Sequence, residues 1–304
     1  MVVGIFTKVY MDQITSFLDS KNAKITRFIN KGGFKQVFEI EINGTKEALK
    51  VTKLFDENEI DPDKQEELKS ELLARSTREV TLIKKLGGKN IVALGSIDST
   101  VIDADGKPFF LYTEEFIPGK TLDTAIRDNG SSLPDFNQVK TLFKNGLDIL
   151  QTFEQNRIIH RDIKPQNIMM TNDAVRPFVF FDLGIAFDQQ GTSLTARTFA
   201  PGTLRYRAPE TLDPDYKSSI DIRSDLFSFA ATTFEFAAGV HPIHPSKATP
   251  GETFYRLLKV NAEPLANKRT DIPAAFCNLI DRCLKKKPAL RPRLSDAIQI
   301  MKQL

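Results

Sequence analysis

The stretch His160-Arg161-Asp162-Ile163-Lys164-Pro165-Gln166-Asn167, followed by Asp182-Leu183-Gly184, decides how the rest of this chain is read. Within a short span it gathers a carboxylate suited to act as a base, two cations, and an amide and a carboxylate of the kind that hard metal ions prefer. Singly these residues have ordinary uses. An Asp before an apolar run is commonly an N-cap, Asp-Leu-Gly is a frequent turn, and Lys-Pro is a loop. The joint spacing lifts them above that, and so does the setting. Arg157-Ile158-Ile159 precedes the polar stretch, while Ile168-Met169-Met170 and Phe178-Val179-Phe180-Phe181 follow it, which predicts short buried strands flanking a polar turn.

This spacing resembles the catalytic loop and metal-binding turn of the eukaryotic-type protein kinases, whose signature is His-Arg-Asp, an Asn five residues past the Asp, then Asp-Phe-Gly. Leu183 stands in for the Phe. The resemblance implies transfer of a phosphoryl group from ATP to a hydroxyl through a loose transition state, where catalysis is positioning and charge neutralisation. Asp162 would then orient the substrate hydroxyl and accept its proton, and Lys164 would reach the transferring phosphate. Asn167 and Asp182 would hold magnesium beside phosphate oxygens and water.

An ATP-holding segment is then expected upstream. Ala48-Leu49-Lys50-Val51 is similar to the family's strand with its phosphate-gripping Lys, whose partner is a helical Glu. Leu68, Leu72, Val80, Ile83 and Leu86 recur at helical spacing, and Glu79 on that helix sits at the family's distance from an expected strand, Asn90-Ile91-Val92. Glu71 and Lys53 are the rival assignments. The glycine-rich pattern falls on Asn30-Lys31-Gly32-Gly33-Phe34-Lys35-Gln36-Val37 and keeps in place only its middle glycine, Gly32. Asn30 tolerates positive φ. Lys35 either faces solvent or adds a cation near the phosphates.

By the same resemblance Ile29, Val37 and Ala48 lie above an adenine ring and Met169 below it, with the glycine pair Gly32 and Gly33 covering the phosphates. The segment Phe110 to Gly119 is similar to the family's hinge, where backbone groups of Glu115 and Ile117 would bond the base. That register places Glu114 at the back of the pocket. An unpaired buried charge is costly, so Glu114 is expected to be hydrogen-bonded.

Downstream, Gly202-Thr203-Leu204-Arg205-Tyr206-Arg207-Ala208-Pro209-Glu210 resembles the family's substrate-docking segment, which kinase-like small-molecule phosphotransferases generally lack. Glu210 should pair with Arg291, and Asp225 should accept N–H bonds from the catalytic loop. Leu226 to Val240 is broken by Glu235 and is too short for a membrane of roughly 30 Å, so it is expected to be a core helix. In His241-Pro242-Ile243-His244 the proline disfavours the helix that i, i+3 metal ligands would want. The Lys285 to Lys287 run reads as a solvated face.

With 304 residues the chain can bury a core divided between two lobes, and a net charge of +3 implies neither a nucleic-acid nor a strongly charged partner. The start shows neither a leader pattern nor a membrane span, and Cys277 and Cys283 read as reduced core residues on an amphipathic helix, which together suggest a cytoplasmic location. The acidic run Asp56 to Glu67 is expected to be a surface loop. The fold class expected is α+β and two-lobed: an N-terminal extension at 1–25, a small antiparallel β lobe with one main helix at 26–116 for ATP, and a larger, mostly helical lobe at 117–304. Lys164 and Thr203 resemble the serine/threonine class, so protein Ser/Thr hydroxyls are the implied substrate. Autophosphorylation is expected at Thr198, Thr195 or Ser193, with phosphate on Thr198 meeting Arg161 and Arg75. The altered glycine loop and Glu114 motivate the alternative, a nucleotide-binding pseudokinase scaffold.

Overall fold

Alternating strands build an antiparallel sheet in the first of two compact units, Met1–Pro118; the second is Gly119–Leu304. The computed structural model describes residues 8–128, 132–183, 187–188, 204–213, 220–245 and 247–304. The expectations placed on Gly184, Ser193, Thr195, Thr198, Gly202 and Thr203 lie outside the described residues.

In the first unit, β1 (Ala23–Lys31), β2 (Lys35–Ile42), β3 (Thr45–Lys53), β4 (Thr100–Ala104) and β5 (Lys107–Glu115) pair in the order β1-β2-β3-β5-β4. Side chains alternate across a pleated strand, and residues opposite one another on neighbouring strands share a face. The register therefore puts Phe38, Ile40, Leu49, Val51, Phe109 and Leu111 together. They are buried in one cluster with Ile14 and Leu18 of an N-terminal helix, α1 (Lys8–Asp19), whose Tyr10, Met11 and Phe17 pack around it. Tyr10 meets the rings of Phe109 and Phe55 at 5.2 and 5.9 Å. The N-terminal segment thus covers one face of the sheet and leaves the other to α2 (Pro62–Leu86) and the candidate nucleotide residues.

Two expectations change here. The acidic run is a loop only as far as Asp61, whose side chain accepts from Asp63 N at 3.0 Å and caps α2; Pro62, with φ preset for a helix, occupies the first position. Gln65, reaching back to Asp56 O and Glu59 O at 2.5 and 2.8 Å, ties that loop to the helix. Asn90-Ile91-Val92 is buried but is not a strand: Gly88 and Ile91 exchange backbone bonds of 2.9 Å and turn the chain instead.

The second unit is mostly helical. Short strands β6 (Lys120–Thr121), β8 (Ile168–Met170) and β9 (Phe178–Phe180) form one sheet, and β7 (Ile158–Ile159) pairs with β10 (Phe187–Asp188). The helices are α3 (Leu122–Asp128), α4 (Phe136–Gln155), α5 (Ile222–Ala238), α6 (Pro250–Lys259), α7 (Ala274–Cys283) and α8 (Leu294–Met301). The strands flanking the polar turn are those read from the sequence. So is the central helix, α5, which is buried along nearly its whole length and stops at Gly239 in a left-handed cap of φ 69°. Helix α4 approaches it at Gly146, where a Cβ would lie 1.9 Å from the Phe229 ring; Phe143 stacks on that ring at 5.6 Å. Cys277 and Cys283 are free and buried on α7. Among the described residues no helix is long and apolar enough to cross a membrane.

The basic run is exposed at Lys285 and Lys287, as expected, and needs correction at Lys286. Lys286 is half-buried and donates to Leu257 O at 2.6 Å and Arg256 O at 3.3 Å near the C-terminal end of α6, where a helix favours a cation. Burial pushes its pKa down to about 8. The two histidines after α5 have ring centroids 4.8 Å apart with the rings tilted by 40°, and His241 Nδ1 accepts from Ile243 N and His244 N at 3.1 Å, so that ring holds a turn.

Candidate active site

The polar turn of the second unit is fixed from below by the central helix. Asp225, wholly buried in α5, accepts from His160 N at 2.6 Å and from Arg161 N at 2.9 Å, as the sequence leads one to expect. Such anchoring lets Arg161 adopt a left-handed φ of 66°, a conformation non-glycine residues hold only where surroundings over-determine it. His160 is buried too, and burial holds its pKa below the usual value. Its neutral Nδ1 accepts from Asp162 N at 3.3 Å, which directs the next residue.

Asp162, Lys164 and Asn167 come together around one carboxylate oxygen. Asp162 Oδ2 accepts from Lys164 Nζ at 2.7 Å and from Asn167 Nδ2 at 3.1 Å, and the same amide donates to Asp162 O at 3.0 Å. The other oxygen, Oδ1, is buried and has no hydrogen-bond partner among the described residues. Burial raises the Asp162 pKa, with Lys164 pulling the other way and nearby Asp182 adding to the rise. The site therefore holds a carboxylate more basic than usual with one acceptor unspent.

Asn167 has committed its amide N–H groups to Asp162, so its side-chain oxygen is the atom left to face a cation. Its backbone O accepts from Phe181 N at 3.1 Å, and Ile168 pairs with Phe180, so β8 and β9 bring Asp182 into the same neighbourhood. Asp182 has a left-handed φ of 65°. One amide oxygen and one carboxylate is a hard donor set that fits magnesium carried with phosphate, since this ion usually takes one or two carboxylates plus phosphate and water. Met169, on β8, is half-buried.

In the first unit Val37, Ala48 and Lys50 share the sheet face away from α1. Val37 opposes Lys50, Ala48 opposes Glu114 and Lys50 opposes Tyr112. Ile29 is 40% exposed on β1, and Gly32 N donates to Lys35 O at 2.7 Å to close the turn between β1 and β2. At Gly33 a Cβ would meet nothing within 4 Å. Glu115 N donates to Ala93 O at 3.0 Å and its side chain accepts from Ala93 N at 2.9 Å; Ile117 lies half-buried beyond the strand.

Glu114 is buried and bonded, as expected, to Tyr112 OH at 3.2 Å, and Lys50 Nζ lies 3.0 Å from its other oxygen. Glu79, expected opposite Lys50, is engaged at 2.6 Å by Lys35. Each member of the expected pair thus has a further partner, because Lys35 brings an extra cation to β2 and Glu114 an extra carboxylate to β5. A solvent-facing Lys35 is overturned: only 25% of its side chain is exposed. The rivals stand apart, Glu71 with Arg75 at 2.5 Å on α2 and Lys53 with Glu57 at 3.6 Å. Sequence reasoning missed Lys35 as a partner of Glu79; the signal was a charged residue in a position that the resemblance gives to glycine.

The segment expected to dock substrate ends at Glu210, which pairs with the buried Arg291. Glu210 accepts from Arg291 Nη1 and Nη2 at 2.6 and 2.7 Å and from Ser224 Oγ at 2.6 Å. Tyr206 OH donates to Glu235, which sits near the end of α5.

Residues 24–302 match the family described as a protein kinase domain. Among curated proteins the chain is 30% identical over 234 residues to a probable serine/threonine-protein kinase of Clostridium acetobutylicum, covering 77% of this chain and 33% of that protein. It is 26% identical over 291 residues to serine/threonine-protein kinase STY17 of Arabidopsis thaliana, covering 94% and 45%. A third relative, serine/threonine-protein kinase A of Synechocystis, is 29% identical over 231 residues, covering 74% and 43%. The chain spans between a third and under half of the length of these relatives.

Proposed function

The chain belongs to the protein kinase domain family, and on that premise we propose that it transfers the γ-phosphate of ATP to serine or threonine hydroxyls of proteins. The observation that carries the reading is the buried Oδ1 of Asp162, which has no hydrogen-bond partner among the described residues while Oδ2 is held by Lys164 and Asn167. Asp162 accepts the hydroxyl proton there, while Lys164 and Asn167 fix the carboxylate through Oδ2. Lys164, 2.7 Å from that oxygen, is placed to follow the transferring phosphate. Asn167 and Asp182 would hold magnesium, which would supply charge neutralisation on the phosphate oxygens. Within the first unit Val37, Ala48 and Ile29 would contact the adenine, and Ile117 and Glu115 would bond it through their backbone. Because Glu115 N–H is already given to Ala93, its contact uses the carbonyl. Lys50, Gly32 and Gly33 face the phosphates.

Two buried free cysteines suit a reducing compartment and support a cytoplasmic location within the same proposal. Self-phosphorylation at Thr198, Thr195 or Ser193 belongs to it as well, supported by Arg161 beside the catalytic Asp. The test is to incubate purified protein with Mg-ATP and a generic protein substrate, then hydrolyse the product for phosphoamino acids. Phosphoserine and phosphothreonine are expected. ATP binding without transfer would replace this reading by the scaffold, which Lys50 held by Glu114 would favour.

A further inference from the structure

The candidate nucleotide face of the sheet carries two lysines, and a buried carboxylate lies beside each. Lys35 opposes Thr52, and Lys50 lies two residues back along the same strand, so the two are diagonal neighbours on one face, about 7–8 Å apart at the backbone. Val37 and Ala48, the residues assigned to the adenine, lie on that face as well. Lys35 Nζ meets Glu79 Oε2 at 2.6 Å with side-chain exposures of 25% and 1%, and Lys50 Nζ meets Glu114 Oε2 at 3.0 Å with exposures of 7% and 3%. A buried carboxylate with a close cation is a fixed point, so Glu79 holds the Lys35 ammonium in one place beside the turn closed by Gly32 N to Lys35 O.

The geometry points to Lys35 as a second phosphate-binding cation of the nucleotide site, positioned by Glu79, while Glu114 positions Lys50. This rests on the kinase reading and extends it. An ammonium has three donors, so Lys35 can keep Glu79 with one and give another to a phosphate oxygen. The glycine that the loop lacks at this position is exchanged for charge. Lys35 is a phosphate ligand in this scheme; Glu79 and Glu114 are positioning residues.

The experiment measures binding of adenosine, ADP and ATP with magnesium to the purified full chain, for wild type, Lys35→Met, Lys35→Arg and Glu79→Gln. Loss of a charge-assisted contact predicts about 10- to 100-fold weaker ATP and ADP binding for Lys35→Met, with adenosine unchanged. Lys35→Arg should recover most of it, and Glu79→Gln should weaken ATP over adenosine in the same sense but less. Equal weakening of adenosine and ATP would make Lys35 structural and overturn the inference, as would unchanged ATP binding. The two readings fail separately. A wild type that binds ATP in a Lys35-dependent way but transfers nothing would sink the kinase reading alone. Transfer with an unchanged KM for ATP in Lys35→Met would sink this inference alone, and a wild type that binds no nucleotide would sink both.

Discussion

Replacing Arg291 by Met should be among the most damaging single changes in the second unit. All five N–H donors of this guanidinium are used: two on Glu210, and one each on the carbonyls of Lys285, Lys286 and Arg223. The side chain is 0% exposed and lies 4.8 Å over the Phe227 ring, while Glu210 is 14% exposed. Removing it leaves a carboxylate with little water, takes a donor from the carbonyls of Lys285 and Lys286, and leaves Arg223 O only its place in the α5 helix ladder. Breaking a buried pair from one side costs about 3–5 kcal/mol. For a unit of this size each kcal/mol moves the midpoint by roughly 2–4 °C, so a fall of about 10 °C is expected. Thermal unfolding followed by circular dichroism measures it, and a cycle with Glu210→Gln isolates the pair. The double variant should be less destabilised than the sum of the singles by about 2 kcal/mol, because Gln carries no stranded charge. Arg291→Lys should recover little, since an ammonium cannot serve five separated acceptors. A loss below about 1 kcal/mol, or strict additivity, would refute the reasoning.

Three further outcomes follow from packing and titration. Gly146→Ala, which helix propensity alone would favour by about 1 kcal/mol, should instead destabilise by about 1–3 kcal/mol in chemical denaturation, because its Cβ would lie 1.9 Å from the Phe229 ring. His244 has its pKa pushed down to about 4 by burial and by Arg205, Arg256 and Lys286, with its neighbour His241 lowered as well. Unfolded histidine therefore binds more protons between the ordinary value of 6.5 and about 4, so the melting temperature should fall as pH drops through that window, and His244→Gln should shallow the fall. Since Asp162 must be ionised to accept a proton and burial raises its pKa above 3.8, the acid limb of kcat/KM should sit above an ordinary aspartate's.

The parts legible in the sequence were those set by local pattern or by paired chemistry. Ile158-Ile159, Ile168 to Met170 and Phe178 to Phe180 read as buried strands because short apolar runs bound a polar turn, and they are β7, β8 and β9. Glu210 with Arg291 and Asp225 with the loop backbone were legible through the family resemblance, whereas Glu114 was legible as a buried charge that must meet a partner. Other features depended on tertiary context. Tyr10, Met11, Ile14, Phe17 and Leu18 carry helical spacing, yet nothing local says which sheet face they cover. The helix start at Pro62 was hidden by an acidic run whose last residues, despite their polarity, follow a good cap. Lys35 and Glu79 lie 44 residues apart, and their meeting is decided by how α2 packs on the sheet.

The most direct measurement of the central claim is single-turnover phosphoryl transfer at saturating Mg-ATP, comparing wild type with Asp162→Asn, with nucleotide affinity determined on the same samples. The account predicts a rate lower by about 10²- to 10⁴-fold at unchanged affinity, because only the proton acceptor is lost. An equal rate in the two proteins would contradict it.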